Sequence, residues 1–197
     1  MENITKQKTG LIFIDCEMGS VELDYSLLSS YFFATDDNFQ RIDELELLVK
    51  PDDNRYIVCG EAMNVNKINL RVHDTKAIPY KTAGTTLYNW LDRLTDRGRV
   101  KFTPVGHGIY GDIKFIQKYL ISRGSWEKFI SYRVLDTSAV VQFLKTCGKF
   151  PEDVSGSLGS LAKYFSVPYD ENLAHSAEYD VKLLFGVFQG LRKLIMA

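Results

Sequence analysis

Residues 11–19 read Leu-Ile-Phe-Ile-Asp-Cys-Glu-Met-Gly, an apolar run that leads into two acids and stops at a glycine. This pattern predicts a buried central strand with carboxylates at its C-terminal end. Because side chains alternate between the faces of a strand, Asp15 and Glu17 are expected on one side, about 6–7 Å apart. Two carboxylates at that spacing suit a hard divalent cation, which would also compensate for burying like charges. On these residues alone, the alternative is a strand that has already ended and two solvated acids.

The segments that follow predict an α/β domain with a mixed sheet. A polar turn at 36–38 separates two β-rich segments and predicts an antiparallel hairpin beside the first strand. Helical apolar spacing then alternates with short strand-like runs, which favours parallel strands and helices on both faces of the sheet. In order, the predicted elements are strands at 29–34 and 42–49, a helix at 79–98, a strand at 102–105, a helix to 124, a strand at 134–137 that enters a helix to 147, a helix that Ser157 caps, and a terminal helix at 174–195.

Composition and charge limit the class of protein. The chain has 197 residues, 45% of them hydrophobic, which fits one globular domain; we expect a flexible N-terminus over 1–10 and a single domain over 11–197. The net charge of −1 provides no overall field for a polyanion, so nucleic acid would have to bind through a local patch or through metal ions. Three scattered cysteines, with neither an apolar leader nor a run of membrane length, predict a cytoplasmic protein without a membrane partner.

Two more acids and one histidine stand in suggestive positions. Asp112 follows the turn Gly-His-Gly-Ile-Tyr-Gly (106–111) at a predicted helix start, where an acid can also serve only as a cap. Asp180 lies early in the terminal helix beside its apolar stripe, where acids usually turn towards solvent. His175 precedes Asp180 by five residues, an offset of about 140° on a helix, so it is expected in the entry loop or first turn. A histidine there is otherwise a surface or capping residue.

In combination and order, these residues resemble the motifs of the DEDDh exonucleases, the DnaQ-like 3′–5′ exonucleases. Asp15 and Glu17 match the first motif, Asp112 the second, and His175 with Asp180 the third, with the four-residue gap of the histidine subclass. The resemblance covers residues 11–188. Each motif alone is weak, but the three together are specific, and they imply a ribonuclease H-like fold.

The resemblance also implies the chemistry of a phosphodiester hydrolase. Asp15, Glu17, Asp112 and Asp180 would hold two divalent cations, Mg²⁺ or Mn²⁺, about 3.5–4 Å apart. His175 would act as general base on the attacking water, a role that suits the near-neutral pKa of an ordinary imidazole. The products would be nucleoside 5′-monophosphates released from a 3′ end.

Three further residues are expected to contact substrate. Met18 and Gly19 would meet the terminal nucleotide, with the glycine allowing close approach. Tyr110 would stack on a base, although an aromatic residue in this context is more often a packing residue. Basic residues near the second and third motifs are candidate phosphate contacts, although any one of them is more often simply solvated: Lys114, Lys118, Arg123, Lys128, Lys163 and Lys182.

The motifs define the substrate less well than the metal site. Members that act on DNA commonly continue the first motif with Thr-Thr-Gly-Leu, whereas Met-Gly-Ser-Val (18–21) stands here, and Asp-Cys-Glu-Met is similar to the RNA-trimming branch. Gly108 and Gly111 replace the Asn and the aromatic residue that many members carry in the second motif. We expect activity on single-stranded 3′ ends, with DNA as the first choice and RNA as the alternative.

Two other classes stay open at this stage. One is a catalytically silent nucleic-acid-binding or polymerase-associated module, and the other is a metal-dependent hydrolase of a different phosphoester. All five matched residue types are present, which argues against the silent module because loss of catalysis usually shows at those positions. A polymerase or a second copy of the chain is left open as a partner.

Overall fold

Six strands form one mixed sheet in the computed structural model, which describes residues 10–197. The strands are β1 (Leu11–Met18), β2 (Leu27–Thr35), β3 (Arg41–Lys50), β4 (Ile78–Pro79), β5 (Thr103–Gly106) and β6 (Leu135–Asp136). Their order across the sheet is β4-β3-β2-β1-β5-β6. β2 pairs antiparallel with both β1 and β3, whereas β4, β5 and β6 are joined by parallel pairing. The predicted combination of an antiparallel hairpin and parallel strands is therefore confirmed.

Helices cover both faces of this sheet. They are α1 (Gly60–Asn66), α2 (Leu70–Asp74), α3 (Tyr80–Leu94), α4 (Tyr110–Tyr119), α5 (Arg123–Phe129), α6 (Thr137–Thr146), α7 (Leu158–Tyr164) and α8 (Ala177–Met196). Alternation along β1 directs Ile12 and Ile14 into a core with α3 and α4, and Phe13 into a second core with α8. A smaller cluster holds α6 and α7 against the outer side of α8. The ribonuclease H-like α/β fold predicted from the sequence is thus confirmed.

Several boundaries differ from the sequence prediction. The helix predicted to end near Gly98 ends at Leu94, because the following residues Asp96 and Arg97 take positive φ angles of 48° and 60°. The helix predicted to run to Gly124 is two helices, since the Ser122 side chain accepts a hydrogen bond from the Ser125 N–H and starts α5. Helices α1 and α2 and strand β4 were not predicted.

The N-terminal boundary is described only from Gly10 onward. The predicted flexible segment, residues 1–10, otherwise lies outside the described residues. Gly10 is buried, and its carbonyl accepts a hydrogen bond from the Thr103 N–H at 3.0 Å. Within residues 10–197, no helix combines the length and the apolar character that crossing a bilayer requires.

Candidate active site

The acids from the two ends of the chain meet at one edge of the sheet. Asp15 and Glu17 lie on the α8 face near the C-terminal end of β1, and Asp180 lies in the first turn of α8. Carboxylate oxygens of these three residues lie within 4.8 Å of one another. The two acids of the strand therefore share a face, as alternation predicted, and a third acid from more than 160 residues later in the sequence joins them.

Aromatic packing fixes the position of α8 against the sheet. Phe13, two residues before Asp15 on the same face, makes edge contacts with Phe185 and Phe188 at centroid distances of 5.2 and 5.3 Å. The Ser176 side chain caps α8 by accepting a hydrogen bond from the Tyr179 N–H. Because this packing lies one to two turns beyond Asp180, it sets the first turn of the helix over the acidic end of β1.

Asp112 approaches the same edge from β5. Parallel strands present their C-terminal ends at one edge, so the turn after β5 carries the start of α4 and its buried Asp112 to the acids of β1. The turn is tied down by the Gly108 N–H, which donates to Asp136 Oδ1 at 3.0 Å, and by the Thr137 hydroxyl, which donates to the Gly106 carbonyl at 3.0 Å. Gly108 has φ +77°, a conformation that glycine and asparagine adopt most readily, so replacing the family's usual Asn preserves the turn.

The electrostatics of the cluster oppose ionisation. Burial raises the pKa of Glu17 to about 8, and the charges of Asp180 and Asp112 add to this. Burial, followed by the charge of Asp112, raises the pKa of Asp15 well above its usual range. Burial also raises the pKa of Asp112 to about 7 and increases that of Asp180. Three carboxylates within 4.8 Å of one another, with the charge of Asp112 acting on two of them, need a compensating positive charge to remain ionised together in this partly buried pocket.

His175 lies beside the cluster in the loop before α8, where its offset from Asp180 placed it. Its backbone N–H donates to Asp180 Oδ2 at 3.2 Å, and its charge lowers the pKa of that acid. The residue is exposed and has φ +65°, an uncommon conformation for a residue with a side chain. With Asp180, Lys163 and Tyr169 it borders a cavity of about 260 Å³. The backbone of His175 is therefore held at the rim of the acidic pocket, on the solvent side.

On the opposite side, the residues after the first motif meet a segment that the sequence did not reveal. Met18 lines a cavity of about 320 Å³ with Cys59 and Val65, which belong to the loop and helix over 57–66. A side chain at Gly19 would approach the Ile57 carbonyl oxygen to 2.5 Å, so this glycine accommodates the chain itself. The sequence carries one signal for this wall, the cysteine that caps α1. The helix itself has seven residues and is too short to show periodicity.

Comparison with known proteins agrees with this arrangement. The profile of the RNase_T family, described as Exonuclease, matches residues 12–188. The chain belongs to this exonuclease family. The membership predicted from the three motifs is therefore confirmed. No curated protein matches the chain in sequence.

Solved structures show the same fold. The chain is similar to a zinc-bound complex of E. coli exonuclease I with single-stranded DNA. The TM-score is 0.69, with 17% identity over 95% of this chain and 41% of the exonuclease I chain. Exonuclease I from Methylocaldum szegediense gives a TM-score of 0.70 at 16% identity over 94% and 40%. The chain thus spans about two-fifths of the length of the exonuclease I chains that it matches.

The remaining residues predicted to contact substrate differ in how exposed they are and in whether an ion pair already holds them. Tyr110, the first residue of α4, is 61% exposed. Ion pairs hold four of the six basic candidates: Lys118 with Asp24, Arg123 with Glu127, Lys128 with Asp92 and Lys182 with Glu178. Lys163 lies 5.0 Å from the centre of the Tyr169 ring at the His175 cavity. Of the six, Lys163 is the candidate that lines the same cavity as His175 and Asp180.

Proposed function

We propose that this protein is a 3′–5′ exonuclease that removes nucleotides one at a time from single-stranded nucleic acid with the help of two divalent cations. The observation that carries the proposal is the meeting of Asp15, Glu17 and Asp180 within 4.8 Å, with Asp112 close enough to raise the pKa values of Asp15 and Glu17. Membership of the exonuclease family and the fold shared with exonuclease I support it.

The donor set fits hard divalent cations. All four acids offer only oxygen, and burial combined with mutual repulsion leaves an excess of negative charge that a cation would neutralise. We assign one ion to Asp15, Glu17 and Asp180, whose oxygens converge, and a second to Asp112 together with Asp15. The ions would be Mg²⁺ or Mn²⁺. When bound, such ions supply Lewis-acid activation of water and stabilise the negative charge of the leaving oxygen.

The chain's own groups complete the reaction. His175 accepts a proton from the attacking water, and its loop position at the rim lets the imidazole approach the terminal phosphate from solvent. Water attacks phosphorus, the bond between phosphorus and the 3′ oxygen of the preceding nucleotide breaks, that oxygen takes a proton from solvent, and the phosphate leaves on the released nucleotide. The product is a nucleoside 5′-monophosphate and a chain shortened by one nucleotide with a free 3′ hydroxyl.

DNA is the proposed first substrate and RNA the alternative. Several of the similar exonuclease I structures hold DNA oligonucleotides, including a dT13 complex at a TM-score of 0.66 and 17% identity over 94% of this chain and 41% of that one, which supports DNA. The Asp-Cys-Glu-Met string favours RNA. A polymerase or a second copy as partner, and a cytoplasmic location, remain predictions.

The deciding experiment is digestion of matched single-stranded DNA and RNA, each labelled at the 5′ end, with Mg²⁺ or Mn²⁺ and with EDTA as the control. We expect a ladder that shortens from the 3′ end, with mononucleotides as the released product, and a faster rate on DNA. Intact DNA and RNA in both metals would reject hydrolysis. If the intact strands nevertheless shift in a binding assay, the silent binding module is the correct function.

A further inference from the structure

A surface groove leads away from the acidic pocket on the far side of α4. It has a volume of about 390 Å³ and lies between α4, α5 and the loop at 131–134. The partly or fully buried residues Ile113, Trp126 and Val134 form its apolar lining. Tyr110 stands at the end nearest the site, two residues before Asp112, and Tyr132 belongs to the loop that closes the groove.

Two tyrosine rings on this groove are unusually exposed. Tyr110 is 61% exposed and Tyr132 is 81% exposed, although a ring that faces water loses the stabilisation that burial would give it. Exposed aromatic surface of this kind beside a cleft marks a binding site more often than a packing defect. Flat rings accept any nucleobase by stacking, which is how proteins hold single strands without reading their sequence.

The charges around the groove suit a polyanion at its rim. The Arg133 guanidinium lies 5.2 Å from the centre of the Tyr132 ring, where it would meet a phosphate next to a stacked base. Arg123 also lines the groove, but Glu127 holds it in an ion pair at 2.6 Å. Local charge is therefore close to balanced, and stacking rather than a strong field has to supply most of the affinity.

The groove runs along α4, the helix that carries Asp112 in its first turn. Tyr110 and Gln117 both line it and are separated by seven residues of α4, or about 10 Å along the helix axis. That length corresponds to about three stacked bases at the usual rise per base. The Tyr110 end of the groove lies at the first turn of α4, the turn that also carries Asp112 on another face of the helix.

We propose that this groove, with Tyr110 and Tyr132 as stacking platforms, binds the bases of a single-stranded nucleic acid upstream of the scissile phosphate. The proposal rests on the proposed exonuclease function, and it adds a binding track that makes long strands better substrates than dinucleotides. We assign Tyr132, which lies on the loop at 131–134 and not on α4, to the part of this track that a dinucleotide does not fill.

The test compares Michaelis constants for a thymidine dinucleotide and for 12-nucleotide thymidine and adenosine oligomers. Tyr132→Ala should raise KM for both 12-mers about fivefold or more, the low end of the loss when a stacking ring is truncated, with a much smaller change in kcat. The preference for the 12-mers over the dinucleotide should shrink accordingly. Tyr132→Phe, which keeps the ring, should restore KM. Phe143→Ala is the matched control, because Phe143 is 66% exposed on α6 and does not line the groove.

Binding without turnover separates this proposal from the proposed function. Fluorescence anisotropy of labelled 12-mers in EDTA should show weaker binding by Tyr132→Ala than by wild type, and Arg133→Gln should reduce the salt dependence. A wild-type protein that cleaves no strand but loses 12-mer binding on Tyr132→Ala would reject the exonuclease function and keep the groove. Equal KM and equal anisotropy for wild type and Tyr132→Ala would overturn the groove, as would an equal loss in Tyr132→Phe.

Discussion

Replacing Glu17 with Gln should stabilise the metal-free protein at alkaline pH while removing a metal ligand. Glu17 has an ordinary pKa of 4.5 and a pKa of about 8 in the folded, metal-free pocket. Below both values the residue is neutral in the folded and the unfolded chain, so it has no effect on stability. Between them only the unfolded chain is ionised, so stability falls as pH rises, by up to about 1.4 kcal/mol per pH unit. Above pH 8 the full penalty is present.

The magnitude follows from that interval. The full pKa difference corresponds to a penalty of about 5 kcal/mol, and partial solvation of the pocket reduces it to about 3 kcal/mol. Glutamine cannot ionise, so Glu17→Gln should gain about 3 kcal/mol over wild type near pH 8 and almost nothing near pH 5. Mn²⁺ should reverse the order at pH 8, because the ion stabilises the wild-type pocket more than the variant.

The assay is urea unfolding in EDTA at both pH values, repeated with Mn²⁺ at pH 8. Glu22→Gln is the control, since Glu22 is exposed in the loop after β1 and its charge is hydrated. A gain for Glu17→Gln of equal size at both pH values would show that the substitution acts through packing. No gain at pH 8 would show that the cluster is not dehydrated, and the electrostatic case for a metal site would fail.

Three further predictions test separate parts of the site. Asp112→Asn should lose at least about 100-fold in activity yet keep one of two Mn²⁺ equivalents in calorimetric titration, because the three converging carboxylates remain; loss of both ions would contradict the assignment. His175→Ala should lower kcat about 100-fold with an unchanged Mn²⁺ affinity, and an unchanged kcat at saturating substrate would reject the general base. Gly19→Ala should destabilise by about 2 kcal/mol in denaturant unfolding, because its Cβ would lie 2.5 Å from the Ile57 carbonyl oxygen. Gly111→Ala, at a helical position with open space around it, should be neutral or slightly stabilising, and equal effects of the two alanines would refute the packing argument.

The elements that the sequence predicted well are those whose side chains are dictated by the core. Strand β1 has an uninterrupted apolar run, and α8 presents Val181, Leu184 and Val187 at helical spacing, so burial and periodicity agree. The order of the motifs then identified the acids, although nothing in the local sequence shows that residues 15 and 180 meet. That meeting depends on how α8 packs on Phe13, which is a tertiary contact.

The elements that the sequence did not predict are stabilised by a few long-range contacts. Helix α2 has five residues and is held to β3 by His73, whose Nε2 lies 2.9 Å from the Val49 carbonyl oxygen. The ammonium of Lys50 and the hydroxyl of Tyr56 donate to its Asp74 carboxylate at 3.2 and 3.0 Å. Elements this short carry no periodic signal, because one or two turns do not repeat a pattern. The Asn69 side chain, which caps α2 by accepting from the Arg71 and Val72 N–H groups, was the one local cue.

Gly19 makes a contact in the structure that the sequence prediction did not include. The sequence suggests that this position needs a glycine so that a nucleotide can approach the backbone. In the structure the approaching group is the chain segment at Ile57 and Val58, and the Gly19 carbonyl accepts a hydrogen bond from the Cys59 N–H at 2.8 Å. This contact places α1 beside Met18 and so builds one wall of the cavity next to Glu17. The glycine therefore acts on the site by allowing this wall to pack against the end of β1.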